Sequence, residues 1–172
     1  MNKPTKAGWL KDTDGTWYYF TSVNGTPKTG WVKSGGKWYW LQADKQGLMA
    51  ANENLTISGA LYSFTDSGAM RANTTVDLEN SKVGYATSSG AIVAVGTKEN
   101  GKLVLRNAQG APLTGWQKFG GAWFYGDEGG VAHTGWLALK GKKYWLDDNG
   151  VMATGLRTID GKRYVFSPSG AY

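Results

Sequence analysis

No cysteine occurs in this chain, so disulfide stapling, thiol chemistry and cysteine-ligated metal are excluded from the outset. Imidazole is almost as scarce: the one histidine, His133, precedes Thr134-Gly135 with no serine nucleophile motif near it, and reads as a linker residue. Long apolar runs are missing too. The longest, Ala91 to Gly96, is far too short to span a bilayer. The polar stretch Met1 to Ala7 lacks the apolar region of a signal peptide, so an export signal is expected to lie outside this fragment. Phosphate-loop, zinc and dinucleotide spacings do not occur. Asp12-Thr13-Asp14-Gly15 begins like a calcium loop but has no further ligand positions, and Asp14 is better explained by a turn. Asp127-Glu128 and Asp147-Asp148 resemble carboxylate pairs for glycoside hydrolysis, yet they stand where other copies of a repeat carry Asn, Ser or Gln. They read as solvated turn residues. The expectation is a chain that is not an enzyme, needs no cofactor and holds no metal.

What the chain has in plenty is glycine, with 26 residues, and large rings, with nine tryptophans and nine tyrosines. Both are distributed periodically. One punctuation series runs Asp14-Gly15, Gly35-Gly36, Ser58-Gly59, Glu79-Asn80, Asn100-Gly101, Gly120-Gly121, Lys140-Gly141 and Asp160-Gly161, with successive members 20 to 23 residues apart. A second interleaves at Gly25, Gly47, Gly68, Gly90, Gly110, Gly130, Gly150 and Gly170. A fixed period near twenty means an array of units, each too small to bury a core alone. Aromatic runs flanking Gly-Gly, Asp-Gly or Asn-Gly read as β-hairpins, because the turns that match strand twist need positive φ. Helical periodicity is absent. The reading is all-β: a solenoid of about eight stacked hairpins forming a single repeat module over residues 1–172.

Side chains alternate faces along a strand. Counted from the turn residue, slots three and five hold Tyr18/Phe20, Tyr39/Leu41, Tyr62/Phe64, Val83/Tyr85, Tyr144/Leu146 and Tyr164/Phe166, an apolar and therefore structural face. Slot two is Trp17, Trp38 and Trp123 in three copies but Leu61, Lys82, Leu103, Lys143 or Arg163 in others. A position that tolerates lysine is no obligatory core, so its tryptophans are assigned to ligand. Tryptophan divides the chain into a rich segment 8–54, a degenerate tryptophan-free segment 55–114 and a second rich segment 115–172.

Gly8-Trp9 to Gly15, Trp17-Tyr18-Tyr19-Phe20, Gly25 and Thr29-Gly30-Trp31 form one full unit, and Gly115-Trp116 through Trp136 another. These residues resemble the cell-wall-binding repeats of choline-binding proteins, carried by autolysins, phage lysins and surface adhesins. Glucan-binding repeats of glucansucrases are similar. The resemblance implies a left-handed superhelical solenoid with ligand sites between neighbouring hairpins. It implies cages for a quaternary ammonium, a cation that cannot donate hydrogen bonds and sits over ring faces instead. Carried onto this chain, the cages are Trp31, Trp38 and Met49 with Tyr62; Trp9 and Trp17 with Tyr39, Pro27 filling the methionine slot; Trp116 and Trp123 with Tyr144, Ala132 in that slot; and Trp136, Met152 and Tyr164, where Lys143 replaces the second tryptophan. Tyr19, Trp40, Tyr125 and Trp145 at slot four compete to close them.

Between Trp40 and Trp116 the leading positions become Leu55, Val76 and Val95, so those copies are expected to stack as spacers without cages. The formal charge of +6 is spread from Lys3 to Lys162, as on a solvated surface. The lysines do not converge on slot two, which disfavours a nucleic-acid partner, and no membrane insertion is expected. Three functions stay open: a secreted or cell-surface module binding choline of bacterial wall teichoic acid, a module for an α-glucan-type polysaccharide, and a structural or adhesin segment.

Overall fold

The computed structural model describes residues 4–172; Met1 to Lys3, part of the polar leader, lie outside the described residues. No helix occurs among the described residues. Seventeen strands form eight antiparallel hairpins and one short return strand. The chain divides into two compact units, one taking in residues up to Ala72 together with Ser89–Ala91, the other Asn73–Ser88 and Ile92–Tyr172.

The first unit holds β1 (Gly8–Lys11) with β2 (Trp17–Phe20), β3 (Gly30–Ser34) with β4 (Lys37–Gln42) and the return strand β5 (Leu48–Met49), and β6 (Asn54–Ile57) with β7 (Ala60–Ser63). Its core is a chain of small clusters rather than one large nucleus. Val32, Leu41 and Met49 gather Trp9, Tyr19 and Tyr39 around them; Ala50, Ile57 and Phe64 gather Trp31, Trp40, Leu55 and Tyr62. Each cluster draws on neighbouring hairpins, so no hairpin is folded without its neighbour.

The second unit holds β8 (Thr74–Leu78), β9 (Lys82–Ala86), β10 (Ile92–Glu99) and β11 (Lys102–Arg106), followed by the hairpins β12–β13 (Gly115–Phe119, Ala122–Gly126), β14–β15 (Gly135–Leu139, Lys142–Leu146) and β16–β17 (Gly155–Ile159, Lys162–Phe166). The tryptophan-free copies depart from simple stacking. β9 pairs with β10 as well as β8, so two successive hairpins merge edge to edge into one four-stranded sheet, with a bulge between Ile92 and Ala94. The eight-residue β10, rich in β-branched residues at its start, is long enough to serve both neighbours.

Six hairpins turn in two residues, both at positive φ, as Gly-Gly, Asn-Gly and Asp-Gly demand; Lys140 at 49° and Gly141 at 75° show that even lysine is held there. The first hairpin uses a wider loop, in which the Asp14 carboxylate accepts the Thr16 hydroxyl at 2.6 Å and its N–H at 3.0 Å. Those two bonds hold Asp14 below the ordinary carboxylate range.

The fourth hairpin corrects the register. Leu78 pairs with Lys82, so three residues, Glu79, Asn80 and Ser81, make the turn, and Asn80 and Ser81 both have positive φ. The extra residue flips every following side chain. Val83 takes the exposed slot two, while Gly84 and the fully buried Ala86 face inward in place of Val83 and Tyr85. Elsewhere slot five is buried as expected, at Phe20, Leu41, Phe64, Leu146 and Phe166.

Candidate functional site

The leading tryptophan of a hairpin and its slot-two tryptophan meet at right angles. Trp9 and Trp17 lie 6.4 Å apart at 84°, Trp31 and Trp38 6.3 Å apart at 87°, Trp116 and Trp123 6.4 Å apart at 90°. Strand register produces this corner, since the two side chains sit on the same face of paired strands two residues out of step, Trp31 opposite Trp40 and Lys33 opposite Trp38. The slot-four rings Tyr19, Trp40 and Tyr125 pack on the leading ring from within the same hairpin at 5.1 to 5.2 Å. A third wall comes from the next hairpin. Tyr39 approaches Trp9 at 4.8 Å, Tyr62 approaches Trp31 at 5.0 Å, Tyr144 approaches Trp116 at 4.9 Å and Tyr164 approaches Trp136 at 5.0 Å. Trp145 is the cross-strand partner of Trp136.

The thioethers sit one repeat away from where sequence order puts them. Met49 lines the crevice of Trp9, Trp17 and Tyr39, about 220 Å³, together with Ser67. The crevice of Trp31, Trp38 and Tyr62, about 340 Å³, is lined by Met70 and Ser89. The cause is a hydrogen bond that ties a return leg to the previous hairpin: Met70 N–H donates to Trp38 O, and Met152 N–H to Trp123 O, both at 2.8 Å. Met152 therefore belongs with Trp116 and Trp123 rather than with Trp136. Pro27 and Ala132 do not fill the slots assigned to them, and all three paired-tryptophan corners have a methionine.

These methionines also explain three glycines of the second series. A Cβ on Gly68 would collide with Met49, one on Gly90 with Met70 and one on Gly170 with Met152. The turn of the following repeat must come down on the thioether, and only glycine leaves room.

At the fourth position Tyr172 stands where the others have methionine, its N–H donating to Lys143 O at 2.8 Å. Its ring lies 5.9 Å from Trp136 and 5.3 Å from Tyr164. Met70 and Tyr172 were both missed in the sequence, although each falls one period after a recognised methionine. Lysines come closer to slot two than the sequence reading allowed. Lys11, Lys33 and Lys118, the cross-strand partners of Trp17, Trp38 and Trp123, place their ammonium groups 5.6 to 5.8 Å from those rings.

The exposed fraction of the slot-two rings, 37% for Trp17, 42% for Trp38 and 39% for Trp123, leaves each of them open to a ligand. Neither of these two crevices has a charged side chain in its lining, and the hydroxyls of each are those of one serine and one tyrosine. Such a site offers ring faces and a polarizable sulfur to an organic cation. The paired carboxylates have other work: Asp127 Oδ1 accepts the N–H groups of Gly129 and Val131, and Asp147 Oδ1 those of Asn149 and Val151, closing their turns.

Comparison with known proteins places this geometry in context. A family model described as that of a cell wall binding repeat matches residues 7–25, 29–44, 114–132 and 134–152. No curated protein sequence matches significantly. Among solved structures, CbpJ from Streptococcus pneumoniae TIGR4 is 27% identical, over 98% of this chain and 65% of its own, with a TM-score of 0.48. Choline binding protein F from Streptococcus pneumoniae is 28% identical over 96% and 57%, TM-score 0.46. The choline binding domain of Spr1274 in Streptococcus pneumoniae is 30% identical over 52% of this chain and 96% of its own, TM-score 0.44. The chain spans less than two thirds of the length of the first two.

Proposed function

The chain belongs to the family of cell wall binding repeats, and on that premise we propose that it is a non-catalytic module that attaches to a choline-bearing polymer of a bacterial cell wall. The observation that carries this reading is the threefold recurrence of one corner: two perpendicular tryptophans, a tyrosine from the next hairpin and a methionine from the return leg. Trp9, Trp17, Tyr39 and Met49 would hold one quaternary ammonium; Trp31, Trp38, Tyr62 and Met70 a second; Trp116, Trp123, Tyr144 and Met152 a third. Trp136, Tyr164 and Tyr172 would form a weaker fourth beside Lys143.

The mechanism is electrostatic and desolvating. Each ring presents the negative face of its quadrupole to a cation that makes no hydrogen bonds, at roughly 1–2 kcal/mol per desolvated contact. Three rings give on the order of 4 kcal/mol, a dissociation constant near a millimolar. Useful attachment then comes from several sites engaging one polymer, since later contacts form at high effective concentration. Wall teichoic acid carrying choline is the polymer this arrangement suits, at the bacterial surface. The lack of any charged side chain in these two linings, which would be strong partners for sugar hydroxyls, favours the cation over an α-glucan in the same corners.

The test is a titration of tryptophan fluorescence with choline, beside glucan oligosaccharides and sodium chloride. Saturable quenching or shift by millimolar choline alone is expected. A response to oligosaccharide and none to choline would move the corners to polysaccharide recognition.

A further inference from the structure

We infer that the crevice at the fifth hairpin, in the tryptophan-free segment, is a second kind of binding site that takes a hydroxyl-rich ligand, a sugar ring or an acyclic polyol. The position is homologous to the aromatic corners by the same hydrogen bond. Ala132 N–H donates to Leu103 O at 2.8 Å, as Met70 does to Trp38 and Met152 to Trp123. The turn that follows comes down on it in the same way, with a Cβ on Gly150 falling 2.9 Å from that of Ala132. Leu103 thus stands in the place of the slot-two tryptophan and Ala132 in that of the methionine.

With a leucine and an alanine in place of a large ring and a thioether, a crevice persists there. It measures about 370 Å³, against about 340 and 220 Å³ at the two aromatic crevices. Its walls have changed chemistry. Lys102, His133 and Thr134 bring donors, while Asp127 and Asp148 bring carboxylates. Asp148 is free of the turn's demands because Asp147 carries both turn bonds, and Asp127 uses only Oδ1 in its own turn. His133 bonds Trp136 O through Nε2 at 3.0 Å, which leaves Nδ1 unused by that contact.

With no tryptophan, tyrosine or phenylalanine in the lining, a quaternary ammonium has no aromatic cage to sit in, and Lys102 opposes it. Hydroxyl groups donate and accept at once, so adjacent hydroxyls match a wall that mixes carboxylates with ammonium, imidazole and hydroxyl groups. The site is independent of the choline reading and would let one chain contact both the charged pendants and the hydroxylated body of a polymer.

The test is an amide and indole NMR titration of the full chain with glucose, N-acetylglucosamine, sorbitol and choline, each to about 100 mM, a range suited to a weak site. Glucose or N-acetylglucosamine should shift the amides of residues 101–103, 131–134 and 148–150 saturably and leave the Trp31 and Trp38 indoles unmoved. The same response to sorbitol alone would identify an acyclic polyol. Asp148→Ala, an exposed change outside the turn bonds, should weaken the response at least about five-fold, the expected loss of a charge-assisted hydrogen bond. Silence at these amides, a response to choline alone, or an unchanged affinity in Asp148→Ala overturns the inference. None of those outcomes bears on the tryptophan corners, whose indoles report separately.

Discussion

Converting Trp38 to the residue found at the same slot of the seventh hairpin should remove the cation site proposed there while keeping the backbone it stands on. Lys143 occupies slot two there, opposite Ala138, and still accepts the return-leg N–H of Tyr172 as Trp38 accepts that of Met70. The faithful transplant is therefore Trp38→Lys with Lys33→Ala, since Lys33 pairs across from position 38 and two opposed lysines would repel. Loss of the ring removes about 1–2 kcal/mol of cation attraction. An ammonium about 5 Å from the bound cation adds a repulsion of about 0.8 kcal/mol in a water-like medium and about 3 kcal/mol at an effective dielectric of 20. Together these give roughly 2–5 kcal/mol, or about thirty-fold to several thousand-fold in affinity, enough to take a millimolar site out of reach. Choline titration followed through the Trp31 indole resonance reads the loss, with the Trp9 and Trp17 indoles as the internal reference in the same sample. If Trp31 still saturates at the wild-type choline concentration, the corner is not the cation site. If the double variant unfolds, slot two is part of the core and the division of faces is wrong.

Gly90→Ala should lower stability by about 2 kcal/mol, because φ is +82° and the new Cβ runs into Met70; thermal unfolding measures it, and choline should weaken at Trp31 and Trp38 as Met70 is displaced. Lys140→Asn should raise stability by a few tenths of a kcal/mol to about 1, since asparagine tolerates the left-handed conformation lysine is held in there. Asp14, depressed by Thr16, contributes stability above its ordinary pKa of 3.8 and loses it as pH falls through the lower folded-state value. Carbon-13 titration of its carboxyl should show the depressed midpoint, and Thr16→Val should bring it back towards the ordinary value.

The hairpins were legible in the chain because turn chemistry is local: Gly35-Gly36 or Asp160-Gly161 demands positive φ whatever surrounds it. So was the tyrosine wall, since slot three follows from strand alternation. Three features were not local. At Glu79-Asn80-Ser81 the dipeptide rule assumes a two-residue turn, and burial of Ala86 decides for three. The methionines were misplaced because each follows its own hairpin in sequence, whereas the return leg bonds to the hairpin before. Edge pairing of β9 with β10 was equally hidden, being a choice between partners of similar strand propensity.

The hydrogen bond that joins the return legs at Met70, Ala132, Met152 and Tyr172 to the preceding hairpin has a consequence for how such arrays change over time. The crevice at Trp31 and Trp38 takes a wall from the hairpin after it and a hydroxyl, Ser89, from the turn after that. The hereditary unit is one period, but the chemical unit spans three. Excising or duplicating a single period therefore leaves the sequence of each surviving hairpin unchanged and rewrites the crevice upstream of the cut. The specificity of an array is stored in the order of its neighbours, and shuffling whole copies can create or erase sites without altering one codon inside them.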